Sequence, residues 1–280
     1  MEGIIVGVDE STYAQTALRW AAEYGVARKL PVTAVLAWDF VNQHHTDPDA
    51  PLDPSYDTKA ASKVLDELVL RAVGQTHDIT TLVVNDRPGP ALIEAAGDEA
   101  SLIVVGARGM GGFRGLVLGS VSRYVLHAAS VPVAVIRSDP ANAYAPVVVG
   151  VDGSEPARRA LRWAIDYARG RHVSLIAVHA WAPPYNPFGV WSPADLAKQA
   201  KAAQQLLDHE LSAVDQSGLV APIDRRIREE HASAALLDAG GVASMIVVGS
   251  RGRAQLAQAL LGSVSDQVSR YATCPVVVVP

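Results

Sequence analysis

Two aspartates, two serines and a set of glycines recur at fixed spacing, and together they could hold a phosphorylated ligand. Asp9 stands in Val6-Gly7-Val8-Asp9-Glu10-Ser11, and Asp152 in Val149-Gly150-Val151-Asp152-Gly153-Ser154. Further on, Gly106-Ala107-Arg108-Gly109 is followed after nine residues by Gly119-Ser120, and Gly249-Ser250-Arg251-Gly252 at the same interval by Gly262-Ser263. The first two glycines of Gly-x2-Gly-x9-Gly-Ser permit a tight turn whose backbone N–H groups face outward. The Gly-Ser pair, opening a helix, brings a hydroxyl and unpaired helix N–H groups to one place. Such an N-terminus is an anion site, and phosphate is a ready occupant. The competing reading is a surface loop with Ser120 or Ser263 as a helix N-cap. Recurrence at one spacing, after the same strand in both places, favours the ligand reading.

Asp9 and Asp152 also carry two readings, a ligand contact or a helix cap. Ser11 and Ser154 are natural N-caps, and Pro156 suits a first helical turn, which leaves the aspartates to the ligand. Gly7 and Gly150 bare the backbone inside a strand, for a ligand or for plain sheet packing. Arg108 and Arg251 are phosphate partners or solvent-facing loop charges. Other phosphate loops are excluded. There is no Gly-x-x-x-x-Gly-Lys-Ser/Thr, and the near dinucleotide fingerprint from Gly109 to Gly115 has Arg114 in a glycine position and follows the fourth strand, not the first.

The elements that must position these residues come from a duplication. Ala17-Leu18-Arg19-Trp20-Ala21 returns as Ala160-Leu161-Arg162-Trp163-Ala164, and the offset of 143 between Asp9 and Asp152 persists from Ala37 to Ala180, Gly106 to Gly249 and Pro132 to Pro275. Each copy is long enough to bury its own core. The boundary falls in Ser138-Asp139-Pro140-Ala141-Asn142-Ala143, giving domains 1–138 and 145–280. In the first copy, continuous apolar runs predict strands at Ile4 to Val8, Val32 to Leu36, Thr81 to Val84, Leu102 to Val105 and Val133 to Ile136. Helices are predicted between them, over Ser11 to Arg28, Tyr56 to Thr76, Pro90 to Asp98 and Ser120 to Ala129. Alternation of this kind implies a doubly wound α/β domain with a mainly parallel five-stranded sheet, once per half. Ligands bind such sheets outside the strands' carboxyl ends, where the strand order reverses, and the aspartates and glycines fall there.

Composition narrows the partners. The 280 residues are 49% hydrophobic and 19% charged, as in core-forming chains, with 24 Lys+Arg against 29 Asp+Glu. A net charge of −5 argues against nucleic acid. The one cysteine, Cys274, suits a reducing cytoplasm. The start of the chain does not read as a signal peptide, and no apolar run approaches the ~20 residues of a membrane span. The expectation is a cytoplasmic protein with no membrane partner.

At this point the sequence resembles a tandem universal stress protein of the ATP-binding type, over both halves. The resemblance rests on Gly-x2-Gly-x9-Gly-Ser together with the Val-Gly-Val-Asp strand. It implies a Rossmann-like fold of the adenine nucleotide alpha hydrolase-like kind. It also implies that Asp9 and Asp152, beside Gly7 and Gly150, hold the adenosine part, and that the backbone of Ala37 and Ala180 meets the adenine. By the same resemblance, Gly106, Ala107, Arg108, Gly109, Met110, Gly111 and Gly112 form one ribose and phosphate loop. Gly249, Ser250, Arg251, Gly252 and Arg253 form the other. Gly119, Ser120, Val121 and Gly262, Ser263, Val264 would cradle the triphosphate, with Ser265 and Ser122 as weaker candidates. ATP, with Mg²⁺ carried by its phosphates, is the implied ligand. Occupancy would order the long loop and change the surface offered to an unidentified regulatory protein. An intrachain pseudo-dimer through Val133 to Ile136 and Val276 to Val279, or a homodimer, is also implied. Two rivals stay open, a slow nucleotide hydrolase or transferase and a nucleotide-free interaction module.

The sequence departs from the family pattern at Glu10, where a glycine is usual, and at Ser101 and Ser244, where an aspartate is frequent. The second loop lacks the glycines Gly111, Gly112 and Gly115, and Ala254 to Leu260 carries helix formers, so equal affinity in the two halves is not expected. His44-His45-Thr46-Asp47-Pro48-Asp49, with Asp53, holds metal-binding residue types without metal-site spacing and reads as a solvated loop; no metal is expected. Pro183 to Trp191 could form a lid, a subunit contact or core packing. Trp20, Trp163 and Cys274 read as core. No nucleophile–base pairing stands out, so no catalytic residue is assigned.

Overall fold

The structure is a computed structural model that describes residues 3–39, 43–44, 51–74, 78–109, 117–138, 142, 144–183, 191–252 and 261–280. It divides into two units, Met1–Asp139 and Pro140–Pro280. The first runs β1 (Ile4–Gly7), α1 (Thr12–Arg28), β2 (Val32–Trp38), α2 (Thr58–Val73), β3 (Ile79–Asn85), α3 (Pro88–Ala96), β4 (Leu102–Gly106), α4 (Ser120–Ala128) and β5 (Val133–Ile136). The second repeats this as β6 (Val147–Gly150), α5 (Glu155–Arg171), β7 (Leu175–Trp181), α6 (Pro193–Ser212), β8 (Asp224–Glu229), α7 (Ala232–Gly240), β9 (Met245–Gly249), α8 (Ser263–Tyr271) and β10 (Val276–Val279).

Within the first unit the strand order is β3-β2-β1-β4-β5, and every pairing is parallel. The second unit has the equivalent order β8-β7-β6-β9-β10, again all parallel. The α/β fold expected from the alternating pattern is therefore present in each unit. The order reverses between β1 and β4, and between β6 and β9, which opens the crevice where ligands bind this architecture. Apolar side chains fill both faces of the central strands: Ile4, Ile5, Leu102 and Ile103 are essentially inaccessible in the first unit. Leu161, Leu175, Leu207 and Leu211 are equally buried in the second.

Element ends moved by one to three residues for local reasons. Helix α2 starts at Thr58 instead of Tyr56 because the Asp57 carboxylate accepts the Ala60 N–H at 2.8 Å. Helix α3 begins at Pro88, since a proline lacking an N–H is well placed in a first turn. Ser11 and Ser154 cap α1 and α5 as expected. Trp20 is buried, whereas Trp163 is only partly so, stacked on Tyr167. Cys274 is buried. Among the described residues no helix is long and apolar enough to cross a membrane.

Candidate functional site

In each unit the capping serine locks the turn after the first strand to the loop after the fourth. In the first unit, the Asp9 Oδ1 accepts the Ser11 N–H at 3.0 Å. The Ser11 hydroxyl accepts the Ala14 N–H at 3.1 Å and donates to the Arg108 carbonyl at 3.3 Å. One serine thus starts α1 and ties it to the loop after β4, 97 residues away. The second unit repeats the arrangement: Asp152 Oδ1 takes the Ser154 N–H at 2.9 Å, and Ser154 donates to the Arg251 carbonyl at 3.2 Å. Each aspartate thus serves the turn through its Oδ1. Their second oxygens face the glycine turn. A Cβ on Gly109 would stand 2.5 Å from Asp9 Oδ2, and one on Gly252 would stand 2.7 Å from Asp152 Oδ2.

The rest of the turn is held by main chain. Ala107 N–H donates to Ile136 O at 2.7 Å, Gly119 N–H to Ala107 O at 2.8 Å, and Ser122 Oγ to Gly106 O at 2.8 Å. Ser250 N–H and Gly262 N–H make the matching bonds at 2.6 and 2.7 Å, while Ser265 Oγ donates to Ser250 O at 2.9 Å, one residue further along the turn. The hydroxyls of Ser122 and Ser265 are thus engaged in fixing the turn. Helices α4 and α8 start with Gly119 and Gly262 as N-caps and have no side-chain cap bond. The serines expected as caps occupy the first helical position, exposed, and the first N–H groups of both helices lack a side-chain acceptor. Partial positive charge collects there.

In the second unit these residues line a cavity of about 290 Å³. Gly150, Asp152, Ala180, Gly249, Arg251, Gly252, Gly262, Ser263, Val264 and Ser265 all contribute. The apolar wall includes Val178, Ala232, Leu236 and Val248, of which Ala232 and Leu236 come from α7. The sequence reading missed that wall because α7 carries no motif, only a helix-length apolar pattern. Leu236 also explains Gly150, whose Cβ would meet Leu236 Cδ1 at 3.2 Å; Gly7 meets Leu92 Cδ1 at 2.9 Å in the same way. Helix packing thus crowds both strand glycines, and Gly150 lines the cavity as well. Ser250 is buried below the turn, as is Ala107. Met110, Gly111, Gly112 and Arg253 lie outside the described residues, as do the expected helix over Ala254 to Leu260 and most of the aromatic stretch, 184–190. Arg108 lies over the Tyr13 ring at 5.9 Å.

The first unit adds a group that the sequence assigned to solvent. His44 is largely buried, its Nδ1 at 2.8 Å from Glu10 Oε2 and its Nε2 at 2.9 Å from Ala37 O. Burial alone would disfavour a charged ring; the hydrogen bond and charge of Glu10, with help from Ala37 O and Asp9, outweigh it and raise the pKa of His44. Glu10 Oε1 is buried without a hydrogen bond. Tyr56 Oη donates to His44 O at 2.8 Å, and burial raises its pKa. No trio of His, Cys, Asp or Glu among the described residues could hold a metal.

The pattern of the universal stress protein family matches residues 1–137 and again 143–280. The chain belongs to the universal stress protein family. A universal stress protein of Mycobacterium tuberculosis (strain H37Rv) is 35% identical over 290 residues, covering 99% of this chain and 95% of its own. One from Mycolicibacterium smegmatis is 33% identical over 294 residues, covering 99% and 96%. Among solved structures, a universal stress protein from Archaeoglobus fulgidus superposes with a TM-score of 0.68 at 20% identity, over 99% of this chain and 97% of that one. At that identity the likeness concerns the fold.

Proposed function

We propose that this universal stress protein binds an adenine nucleotide, ATP with Mg²⁺ on its phosphates, once in each half, and acts through occupancy. The carrying observation is the second unit's cavity, where Asp152, the Gly249–Gly252 turn and the uncapped start of α8 converge on one space. At about 290 Å³ it sits at the small end of ligand pockets, roughly 300–1,000 Å³. An apolar wall with one carboxylate at its edge suits a base and ribose. The polyphosphate then runs along the Gly252 and Gly262 main chain to the helix N-terminus, where backbone N–H groups stabilise anions. The glycine turn fits this role because a Cβ at Gly252 would crowd Asp152. Mg²⁺ needs few protein carboxylates when it arrives on phosphates.

Occupancy alters the surface near the turn, and a regulatory protein reads that change. Hydrolysis is the weaker alternative: Asp152 is the only carboxylate among the described lining residues, and one of its oxygens already serves the Ser154 turn. The test is calorimetry with MgATP on the full chain and on Ser263→Glu. Ser263 is exposed, so the substitution spares the core while placing negative charge where the phosphates would lie. Halved stoichiometry supports the reading; unchanged binding to Ser263→Glu sinks the phosphate assignment in the second half.

A further inference from the structure

The two halves carry different residues beside the place where the base would enter: Glu10 and His44 in the first correspond in sequence to Gly153 and Pro187 in the second. Ala37 and Ala180 hold equivalent positions on β2 and β7. In both units the second residue before the alanine pairs with the glycine ending the first strand: Val35 with Gly7, Val178 with Gly150. Val8 N–H and Val151 N–H then bond to Val35 O and Val178 O, each at 2.9 Å. Ala180 lines the second unit's cavity, so Ala37 marks the same spot in the first. There the Ala37 carbonyl is already bonded to His44 Nε2, while Nδ1 bonds to Glu10.

Both partners of the ring are acceptors only. A neutral imidazole has one donor and one acceptor nitrogen, so it can satisfy a single one of these bonds; the imidazolium satisfies both. We propose that the His44 imidazolium is a built-in competitor for the base end of the first half's site, so a nucleotide must displace it and the first half binds more weakly in acid than the second. This rests on the nucleotide reading above. The second half cannot repeat the device. Position 153 is a glycine with φ +81°, and the sequence equivalent of His44 is Pro187. The groups facing the ring are Glu10 and Asp9 from the turn before α1, the Ala37 carbonyl from β2, and Tyr56, whose hydroxyl bonds the His44 main chain. Glu10 Oε1, buried with no hydrogen bond, leaves the carboxylate dependent on this partner. Raising the pH removes one ring proton, one of the two bonds goes, and the competitor weakens.

The experiment uses the full chain carrying Ser263→Glu, which reports the first half, and a Ser120→Glu chain, which reports the second and controls for ATP's own titration. MgATP affinity of the first half should rise about five- to tenfold from about pH 6 to about pH 8.5, beyond any change in the second half. His44→Ala should raise it about tenfold at the lower pH and abolish that excess. Glu10→Gln should act in the same direction. Nitrogen-15 spectra of the histidine rings should show both His44 nitrogens protonated near pH 6, which needs no variant to fold. A first half indifferent to His44 while the second half binds overturns this proposal alone. Absence of binding in both halves overturns the nucleotide reading with it. A neutral His44 ring near pH 6 also overturns the competitor.

Discussion

Gly252→Ala separates the ligand role of the turn from its structural role. The new Cβ would lie 2.7 Å from Asp152 Oδ2 and meets no backbone, so relief comes from turning the carboxylate. That movement strains the 2.9 Å bond from Ser154 N–H to Asp152 Oδ1, worth about 0.5–1.5 kcal/mol. The fold should therefore lose about 1 kcal/mol, a shift of a few degrees in the melting temperature. A ligand that donates a hydrogen bond to this carboxylate loses about 1.5–3 kcal/mol, equivalent to roughly 10- to 150-fold in affinity. Calorimetry on Ser120→Glu chains, which isolate the second half, measures that loss against melting curves of the same preparations. Asp152→Ala should cost a similar factor, and the double variant should add little, because both act on one contact. Native affinity in Gly252→Ala, with normal folding, would refute the role given to Asp152.

Gly249→Ala should behave differently, because its Cβ would meet Ala157 N and Pro156 C at 2.7 Å; a backbone clash should cost about 1–3 kcal/mol of stability, read by urea denaturation. Ser11→Ala removes a cap bond, costing about 1 kcal/mol, and releases the Arg108 carbonyl, so first-half affinity and stability should fall together in calorimetry and melting. His44 has a folded pKa above its ordinary 6.5, so the stability it adds is present below about pH 6.5 and is lost as pH rises through the raised value; the difference in melting temperature between the native sequence and His44→Ala should shrink accordingly.

The repeat made most of the fold readable. An unbroken offset of 143 fixes two equivalent units, and continuous Val/Ile runs mark buried parallel strands. Ends were less legible because caps decide them: Asp57 and Pro88 set helix starts that periodicity placed elsewhere. The glycine motif and both aspartates lie together at the switch point because their spacing follows the strand ends. What the sequence did not disclose were contacts between distant segments. Leu236 reaches the cavity from a helix without a motif. His44 meets Glu10 across 34 residues, and nothing in a Pro- and Asp-rich stretch signals a buried imidazole. Asp152 both accepts the Ser154 N–H and lines the cavity, a coincidence that no spacing encodes.

The most direct test of the nucleotide assignment is a calorimetric titration of MgATP into the full native chain near pH 8, paired with nucleotide extraction from freshly purified protein. Binding is expected at two sites in the sub-millimolar range, the second half filling more tightly, with adenine nucleotide in the extract. A flat titration together with a nucleotide-free extract contradicts nucleotide binding.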